Sequence, residues 1–343
     1  MDGQPAAVIA VGGSAGSVPP LVTLLGRLPA TLPPAVLVTV HIGERTCSRL
    51  PQILSRAGEL NASQAEDGER LEAGRVYVAP PGRHLLVSRG TAVLSSGPRV
   101  NRHRPAVDVM LASVAQWARE RTVAVILSGV LDDGAVGAAL VDRAGGQVLV
   151  QDPGEAEFAS MPLAALAAAG TARSAPVRKL ADQAMGAVKV AAAGLRAPTE
   201  SWITMGAVAG GDDMTESDDP GFLTDFETRL TRLACPECGG SMALVDLPRI
   251  SYFRCHIGHQ YGPQTLAAAQ AEASEAKLWS AVAALEEHAT ILRYLRTHIP
   301  AENKAAAKER DDYTEEISRR AAELHAQARN WTSAPAELDQ PSA

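Results

Sequence analysis

The chain has no apolar run approaching the roughly 20 residues that a membrane-spanning helix needs. Its start, MDGQPAAVIAV, carries Asp2 and no basic segment ahead of a short apolar stretch, so neither a membrane anchor nor a secretory leader is expected. Basic residues are not in excess: 32 Lys and Arg stand against 39 Asp and Glu, a formal charge of -7. Affinity for nucleic acid rests on clustered Lys and Arg, so a nucleic-acid partner is not expected. Cysteine is scarce as well. Three of the four, Cys235, Cys238 and Cys255, lie close together and Cys47 stands alone, which suits a metal site in a reducing compartment rather than a disulfide framework. The expected location is therefore the cytosol, with Cys47 a small buried apolar residue. No long internal repeat is visible.

With 343 residues and 46% hydrophobic content, there is material for a sizeable core and two or three globular units. Over residues 1–195, the β-rich runs AAVIAV, AVLVTV, RVYVAP, TVAVILSG and GGQVLVQD alternate with amphipathic stretches such as PAVDVMLASVAQWARER. That alternation predicts an α/β fold, a three-layer doubly wound, mostly parallel sheet with helices on both faces. The segment RVYVAPPGRHLLVSRGTAVLSSG reads as a hairpin-rich insertion at an edge of the sheet.

Residues 196–222 lose periodicity and gather Gly, Asp, Ser and Thr, the composition of a flexible linker. A small Cys/His module over 223–262 follows, then a helical hairpin over 263–332 and a frayed tail over 333–343. Leu278, Val282, Leu285, Ala289 and Leu292 recur at a 4-3-4-3 spacing, and Tyr313, Ile317, Leu324, Ala328 and Trp331 continue a similar stripe after Pro300. One apolar seam per helix predicts antiparallel pairing, or pairing with a partner helix.

The stretch VIAVGGSAGS ends a strand in a glycine-rich turn, and in open α/β folds such turns lie at the carboxyl edge, where ligands and catalytic groups collect. It is not a dinucleotide fingerprint: from Gly12, Ser14 and Ser17 stand where the second and third glycines belong, and the acidic residue wanted after the second strand is His41. His41 ends AVLVTVH, and TVAVILSG runs into VLDDG, which brings Asp132 and Asp133 to the same edge. A serine, a histidine and a carboxylate delivered by three strands form the constellation of acyl-transfer hydrolases. Each residue alone also has a structural reading, Ser14 as a turn or helix-cap residue among them. His84, in the hairpin, and His103, in a basic loop, compete with His41 as the base.

Cys235-x2-Cys238 and Cys255-x3-His259, with sixteen residues between the pairs, have the spacing of two knuckles joined by a short β-hairpin. Four such ligands suit a closed, structural zinc, which leaves no open position for catalysis. His256 is an alternative to His259, but Gly258 suits a turn that returns His259 to the metal.

Residues 5–193 resemble the catalytic domain of the chemotaxis protein-glutamate methylesterases of the CheB type. The resemblance is carried, in order, by VGGSAGS, VHIGERTCSRLPQIL, VYVAPPGRHL, NRHRPAVDVML, LSGVLDDGAVGA and QDPGEAEFASMPLAAL. It implies a Ser-His-Asp triad of Ser14, His41 and Asp133, the last chosen over Asp132 because it directly precedes Gly134. It further implies hydrolysis of glutamate γ-methyl esters on the cytoplasmic helices of chemoreceptors, often with glutamine deamidation, and the Val130 amide as an oxyanion donor; no cofactor is implied for catalysis. The chain departs from the family at Ala15, Gly16 and Ser17, at Val40 and Ile42-Gly43, and at Val130-Leu131, which bears on pocket shape. The first strand starts within about six residues of Met1, so no receiver domain is expected ahead of it, and the enzyme is expected to be either constitutively active or controlled by its C-terminal region. Some relatives carry a similar CPxCGG…FRCxxGH segment followed by helices, which supports Cys235, Cys238, Cys255 and His259 as ligands; the helical hairpin is read as a site for a receptor or another signalling protein. Two other readings stand beside this one: a receptor-binding adaptor without turnover, and a small-molecule esterase or amidase.

Overall fold

A computed structural model describes residues 5–29, 31, 33–43, 48–193, 228–298 and 304–332; Cys47 and the 196–222 and 333–343 segments lie outside them. The chain divides into two units, Met1–Leu266 and Ala267–Ala343. In chain order the first begins β1 (Val8–Gly13), α1 (Val18–Leu25), β2 (Ala35–Val40), α2 (Leu50–Ser55), β3 (Asn61–Gln64), β4 (Arg75–Val78), β5 (His84–Ser88) and β6 (Thr91–Ser95). It continues with α3 (Val107–Ala118), β7 (Thr122–Ile126), α4 (Ala135–Arg143), β8 (Gln147–Gln151), α5 (Ser160–Ala168), β9 (Arg173–Ala175) and α6 (Val177–Ala193). Then follow β10 (Thr228–Ala234), β11 (Ser241–Asp246), β12 (Ser251–Cys255), β13 (Gln260–Tyr261), α7 (Pro263–His298) and α8 (Lys304–Thr332). Among the described residues no helix is long and apolar enough to cross a membrane.

Seven strands form one sheet in the order β3-β4-β2-β1-β7-β8-β9, every neighbouring pair parallel. VIAVGG and AVLVTV are buried at every position, as central strands covered on both faces must be. The two-residue alternation sorts their side chains. Val8, Ala10 and Leu37 pack with α3, α4 and α5, while Ile9, Val11, Val36 and Val38 pack with α1, α2 and α6. The chain builds outward from β1 on one side and returns to β7 on the other, so the strand order reverses beside β1. Crevices at such reversals, at the carboxyl ends of the strands, are where open α/β sheets hold reacting groups.

The hairpin differs from the expectation of an edge position. RVYV is β4, inside the main sheet, whereas β5 and β6 form a separate two-stranded antiparallel sheet. Leu85, Val87 and Ala92 join the buried cluster of α3, and the Val87 amide donates to Ser113 Oγ, so the hairpin is held by a helix face rather than by a sheet edge. The edges are β3 and β9, two short strands without an apolar run: of NASQ only Ala62 is buried.

The Cys/His segment forms a four-stranded antiparallel sheet, β10-β11-β12-β13. It is not a free-standing module: Val245, Leu247 and Tyr252 belong to the same buried cluster as Leu111, Val141 and Ala165. The physical reason is that so small a sheet has too little apolar material for a core of its own and shares that of its neighbour. In the second unit α7 and α8 pair antiparallel, with Leu285, Ala289 and Leu292 against Ile317 and His325 Nδ1 3.1 Å from Glu286 Oε1. Tyr313 and Trp331 leave the expected seam and are half-exposed; Ala321 is buried between their stripe positions instead.

Candidate active site

Ser14, His41 and Asp133 come from the ends of β1, β2 and β7, and sheet register brings them together. Gly13 pairs with Val40, and the His41 amide donates to Gly13 O at 3.3 Å, so residues 14 and 41 stand side by side one step beyond the paired strands. Glycine is required in this turn because neighbours come close to its backbone: a Cβ on Gly12 would lie 2.1 Å from Val107 Cγ1, and one on Gly13 2.5 Å from Ser17 Cβ. Ser17 opens α1, and its hydroxyl donates to Ser14 O at 2.6 Å, fixing the turn that presents the serine. Ser14 itself is half-exposed and Ala15 exposed.

His41 Nδ1 lies 2.9 Å from Ser14 Oγ, and Nε2 lies 2.6 Å from Asp133 Oδ2. The imidazole is thus turned relative to the serine-protease arrangement, in which Nε2 faces the serine. A carboxylate on Nε2 holds the proton there and leaves Nδ1 free to accept the serine proton. His103, read as a competing base, instead stacks on the His41 ring with centroids 3.6 Å apart. Burial, then the neighbouring His41, pushes His103 down to about 4, so it is a neutral plate against the His41 imidazole at neutral pH.

Asp133 also receives Val107 N at 2.7 Å on Oδ2, and Asn101 Nδ2 at 2.9 Å and Asp108 N at 3.1 Å on Oδ1. Val107 and Asp108 open α3, whose N-cap Ala106 has no side chain to offer, so Asp133 caps that helix from another loop. Burial alone would raise the Asp133 carboxyl; the His41 bond and the backbone and Asn101 donors outweigh it and hold Asp133 well below the usual carboxylate range. Asp132 points elsewhere: it accepts from Gln264 N at 2.8 Å and Thr265 N at 3.2 Å, capping α7, and burial raises its carboxyl. Two adjacent carboxylates thus serve two different helices.

His84 is sealed in. Its Nε2 donates to Pro98 O at 3.0 Å and its Nδ1 accepts from Ala106 N at 3.3 Å, which fixes the tautomer. Burial pushes it down to about 4 from 6.5, so below pH 6.5 the unfolded chain takes up a proton that the folded one refuses, until the pH nears 4. His84→Gln is therefore expected to flatten the loss of stability on acidification. The stability advantage of wild type over His84→Gln should shrink by a few kcal/mol between pH 7 and 4.5; urea unfolding at both pH values checks this, and a constant difference would disprove it.

Cys235, Cys238, Cys255 and His259 offer four ligand atoms within 4.8 Å of one another. The Cys238–Cys255 Sγ separation is 3.6 Å, and His259 Nδ1 lies 3.4 Å from Cys255 Sγ and 3.7 Å from Cys235 Sγ. Zinc–sulfur and zinc–nitrogen bonds of about 2.3 and 2.0 Å place the corners of a tetrahedron about 3.5–3.8 Å apart, so the donor set fits that ion. Gly258 has φ +105, the left-handed turn that returns His259 to the cysteines, while His256 is exposed and outside the cluster. His259 Nε2 faces Glu237 Oε2 at 3.5 Å, and Tyr261 Oη donates to Glu237 Oε1 at 2.7 Å, the kind of outer carboxylate that orients a ligating imidazole.

The CheB methylesterase family model matches residues 9–184, which contain all three of these side chains. The chain belongs to the CheB methylesterase family. It is 39% identical over 167 residues to a protein-glutamate methylesterase/protein-glutamine glutaminase of Yersinia pestis, covering 48% of each chain. A putative protein-glutamate methylesterase/protein-glutamine glutaminase of Leptospira interrogans is 35% identical over 175 residues, 51% of this chain and 91% of that one. The CheB methylesterase catalytic domain of Thermotoga maritima superposes with a TM-score of 0.50 at 30% identity, over 54% of this chain and 99% of the other. The chain thus spans about half the length of the Yersinia relative, and β10 to α8 lie beyond the stretch that the CheB family model matches.

Four residues around these sites carried no independent signal in the sequence: Asn101, Asp108, Glu237 and Tyr261. Asn101 and Asp108 flank the histidine and proline of NRHRPAVD, where an Asn in a turn and an Asp in a first helical turn pass as ordinary capping chemistry.

Proposed function

We propose that the chain is a protein-glutamate methylesterase that hydrolyses glutamate γ-methyl esters on the cytoplasmic helices of chemoreceptors. The observation that carries this reading is the hydrogen-bonded row in which His41 Nδ1 lies 2.9 Å from Ser14 Oγ and Nε2 2.6 Å from Asp133 Oδ2. Ser14 Oγ attacks the ester carbonyl as its proton passes to His41 Nδ1, and Asp133 stabilises the imidazolium through Nε2–H. His41 then returns that proton to the departing methoxide, releasing methanol. Water, deprotonated in turn by His41, attacks the glutamyl ester on Ser14 and frees the glutamate. The Ser14 and Gly129 amides are already donated, to Ser128 O and Phe158 O; the resemblance to the family offers the Val130 amide as a donor to the oxyanion. The same steps on a glutamine amide release ammonia, which is deamidation.

The half-exposed serine beside exposed Ala15 and Phe158 favours an ester presented on a protein surface over a small molecule engulfed in a closed pocket. Residues 1–195 act as the catalytic domain and 196–222 as a linker; 223–262 is a zinc-holding module, 263–332 a helical hairpin for a signalling partner, and 333–343 a tail. Cys235, Cys238, Cys255 and His259 would hold zinc, which would cross-link that small sheet and, with four protein ligands, would have no catalytic role. The protein works in the cytoplasm, where receptor helices, thiolate ligands and reducing conditions coincide. Incubating the full chain with receptor membranes methyl-labelled on glutamate should release labelled methanol. Tight binding to those membranes with no release would instead establish the adaptor.

A further inference from the structure

Asn101 is the tip of a tight turn in which Val100 N donates to His103 O and His103 N to Val100 O. Turn tips normally face water. Asn101 nevertheless is buried, and with φ +51 it holds a conformation that Asn tolerates better than most residues. What covers it is the segment leaving the Cys/His sheet. Asn101 N donates to Gln260 O at 2.8 Å, and Gly262 N donates to Asn101 Oδ1 at 2.7 Å. The opposite end of the same amide donates to Asp133 Oδ1 at 2.9 Å and to Asp108 Oδ2 at 2.7 Å. Two residues further on, Gln264 N, Thr265 N and Thr265 Oγ1 all donate to Asp132, the neighbour of Asp133. One short stretch, starting next to His259, therefore holds the carboxylate loop directly at Asp132 and indirectly, through Asn101, at Asp133. None of it lies in the 9–184 region shared with the CheB family.

We propose that Gln260–Thr265 is a strap that positions the acid of the triad through Asn101 and Asp132, so that metal loading of the Cys/His sheet sets the reactivity of Ser14. The inference rests on the serine-hydrolase reading of the site. With Gly262 N bound to Oδ1, the Asn101 amide cannot flip, and its NH2 is committed to the two carboxylates. Asp133 is then fixed against His41 Nε2, and Nδ1 is kept as the acceptor that Ser14 needs. When the cluster is empty the strand that begins beside His259 loses its anchor, and Asn101 is free to turn and solvate. Asn101 is a positioning residue, acting on Ser14 only through Asp133 and His41.

Gly262 offers a separate handle, because a Cβ there would lie 2.3 Å from Asp132 Oδ2 and force the strap off the loop without touching the triad or a metal ligand. The full chain is compared as zinc-loaded wild type, chelator-stripped wild type, Gly262→Ala and Asn101→Asp, the last keeping the acceptor for Gly262 N while losing the donor to Asp133. Two readouts are taken: the rate at which a fluorophosphonate labels Ser14, displacing fluoride, and the far-downfield proton resonance of the His41–Asp133 hydrogen bond. Gly262→Ala should retain zinc and a cooperative unfolding transition, yet label about 10- to 100-fold more slowly, the usual effect of removing an orienting partner. The resonance should broaden or vanish, and the stripped protein and Asn101→Asp should behave alike. Equal labelling rates with an intact resonance in all four samples would overturn the strap. Absence of labelling in zinc-loaded wild type would overturn the hydrolase reading instead, and the resonance comparison would still decide the strap; if Gly262→Ala does not fold, Asn101→Asp carries the test.

Discussion

Ser14→Ala is expected to abolish methanol release, with kcat lower by about 10⁶-fold, and Asp133→Asn to lower it by about 10⁴-fold, with fold and metal content unchanged in both. The serine variant loses the Oγ that the proposed reaction uses to attack, which lies 2.9 Å from His41 Nδ1. The asparagine variant keeps the shape and reverses a proton. Asp133 accepts four hydrogen bonds, from His41 Nε2, Val107 N, Asp108 N and Asn101 Nδ2. An amide in its place must aim an NH2 at two of these donors. If it donates toward Nε2, the imidazole proton moves to Nδ1, the nitrogen facing Ser14, which then cannot accept the serine proton. The loss should therefore fall on kcat and not on KM. Steady-state rates on methylated receptor, beside thermal unfolding of each variant, check this; a Ser14→Ala protein retaining a hundredth of wild-type turnover would end the nucleophile assignment.

The second large effect is expected from the metal. Full-length protein should carry about one equivalent of zinc, and either chelation or Cys238→Ser should destabilise the β10–β13 sheet by several kcal/mol, since binding energy at such sites is folding energy. Cys235 and Cys255 are buried, and without the ion their sulfurs would be packed at 3.4–3.7 Å around His259 Nδ1 with no covalent or coordinate bond to join the two turns that carry the cysteines. The apolar residues of the other end, Val245, Leu247 and Tyr252, are anchored in the main core, so loss of metal should unfold the knuckles before the rest. Elemental analysis and amide hydrogen exchange, with and without chelator, measure this. Zinc-free protein with unaltered exchange in β12 and β13 would rule it out.

Both predictions trace to residues legible before any coordinates, and the reason is that each group sits at a point where local pattern determines position. A buried parallel strand ending in Gly-Gly-Ser, another ending in His and a third entering Asp-Asp-Gly must deliver those residues to one sheet edge, whatever the details of packing. The Cys-x2-Cys and Cys-x3-His spacings likewise bring their ligands together through turns of a few residues. The strands β3 and β9 were not legible, because NASQ and RSA have no apolar alternation to mark them. The hairpin's partner was misplaced for a related reason: Leu85 and Val87 announce an apolar face, and only packing reveals that α3 covers it.

The amino-acid order by itself determined the parallel sheet, the serine, histidine and aspartate at its carboxyl edge and the Cys/His cluster, because hydrophobic period and short-range spacing act within a few residues. Tertiary structure alone decided which nitrogen of His41 faces Ser14, that Asp133 caps α3 while Asp132 caps α7, that His103 stacks on the base, and that Gln260–Thr265 lies across Asn101. These are contacts between segments 25 to 161 residues apart, fixed by where backbone donors and acceptors find partners once the core has closed, and no local preference of the chain encodes them.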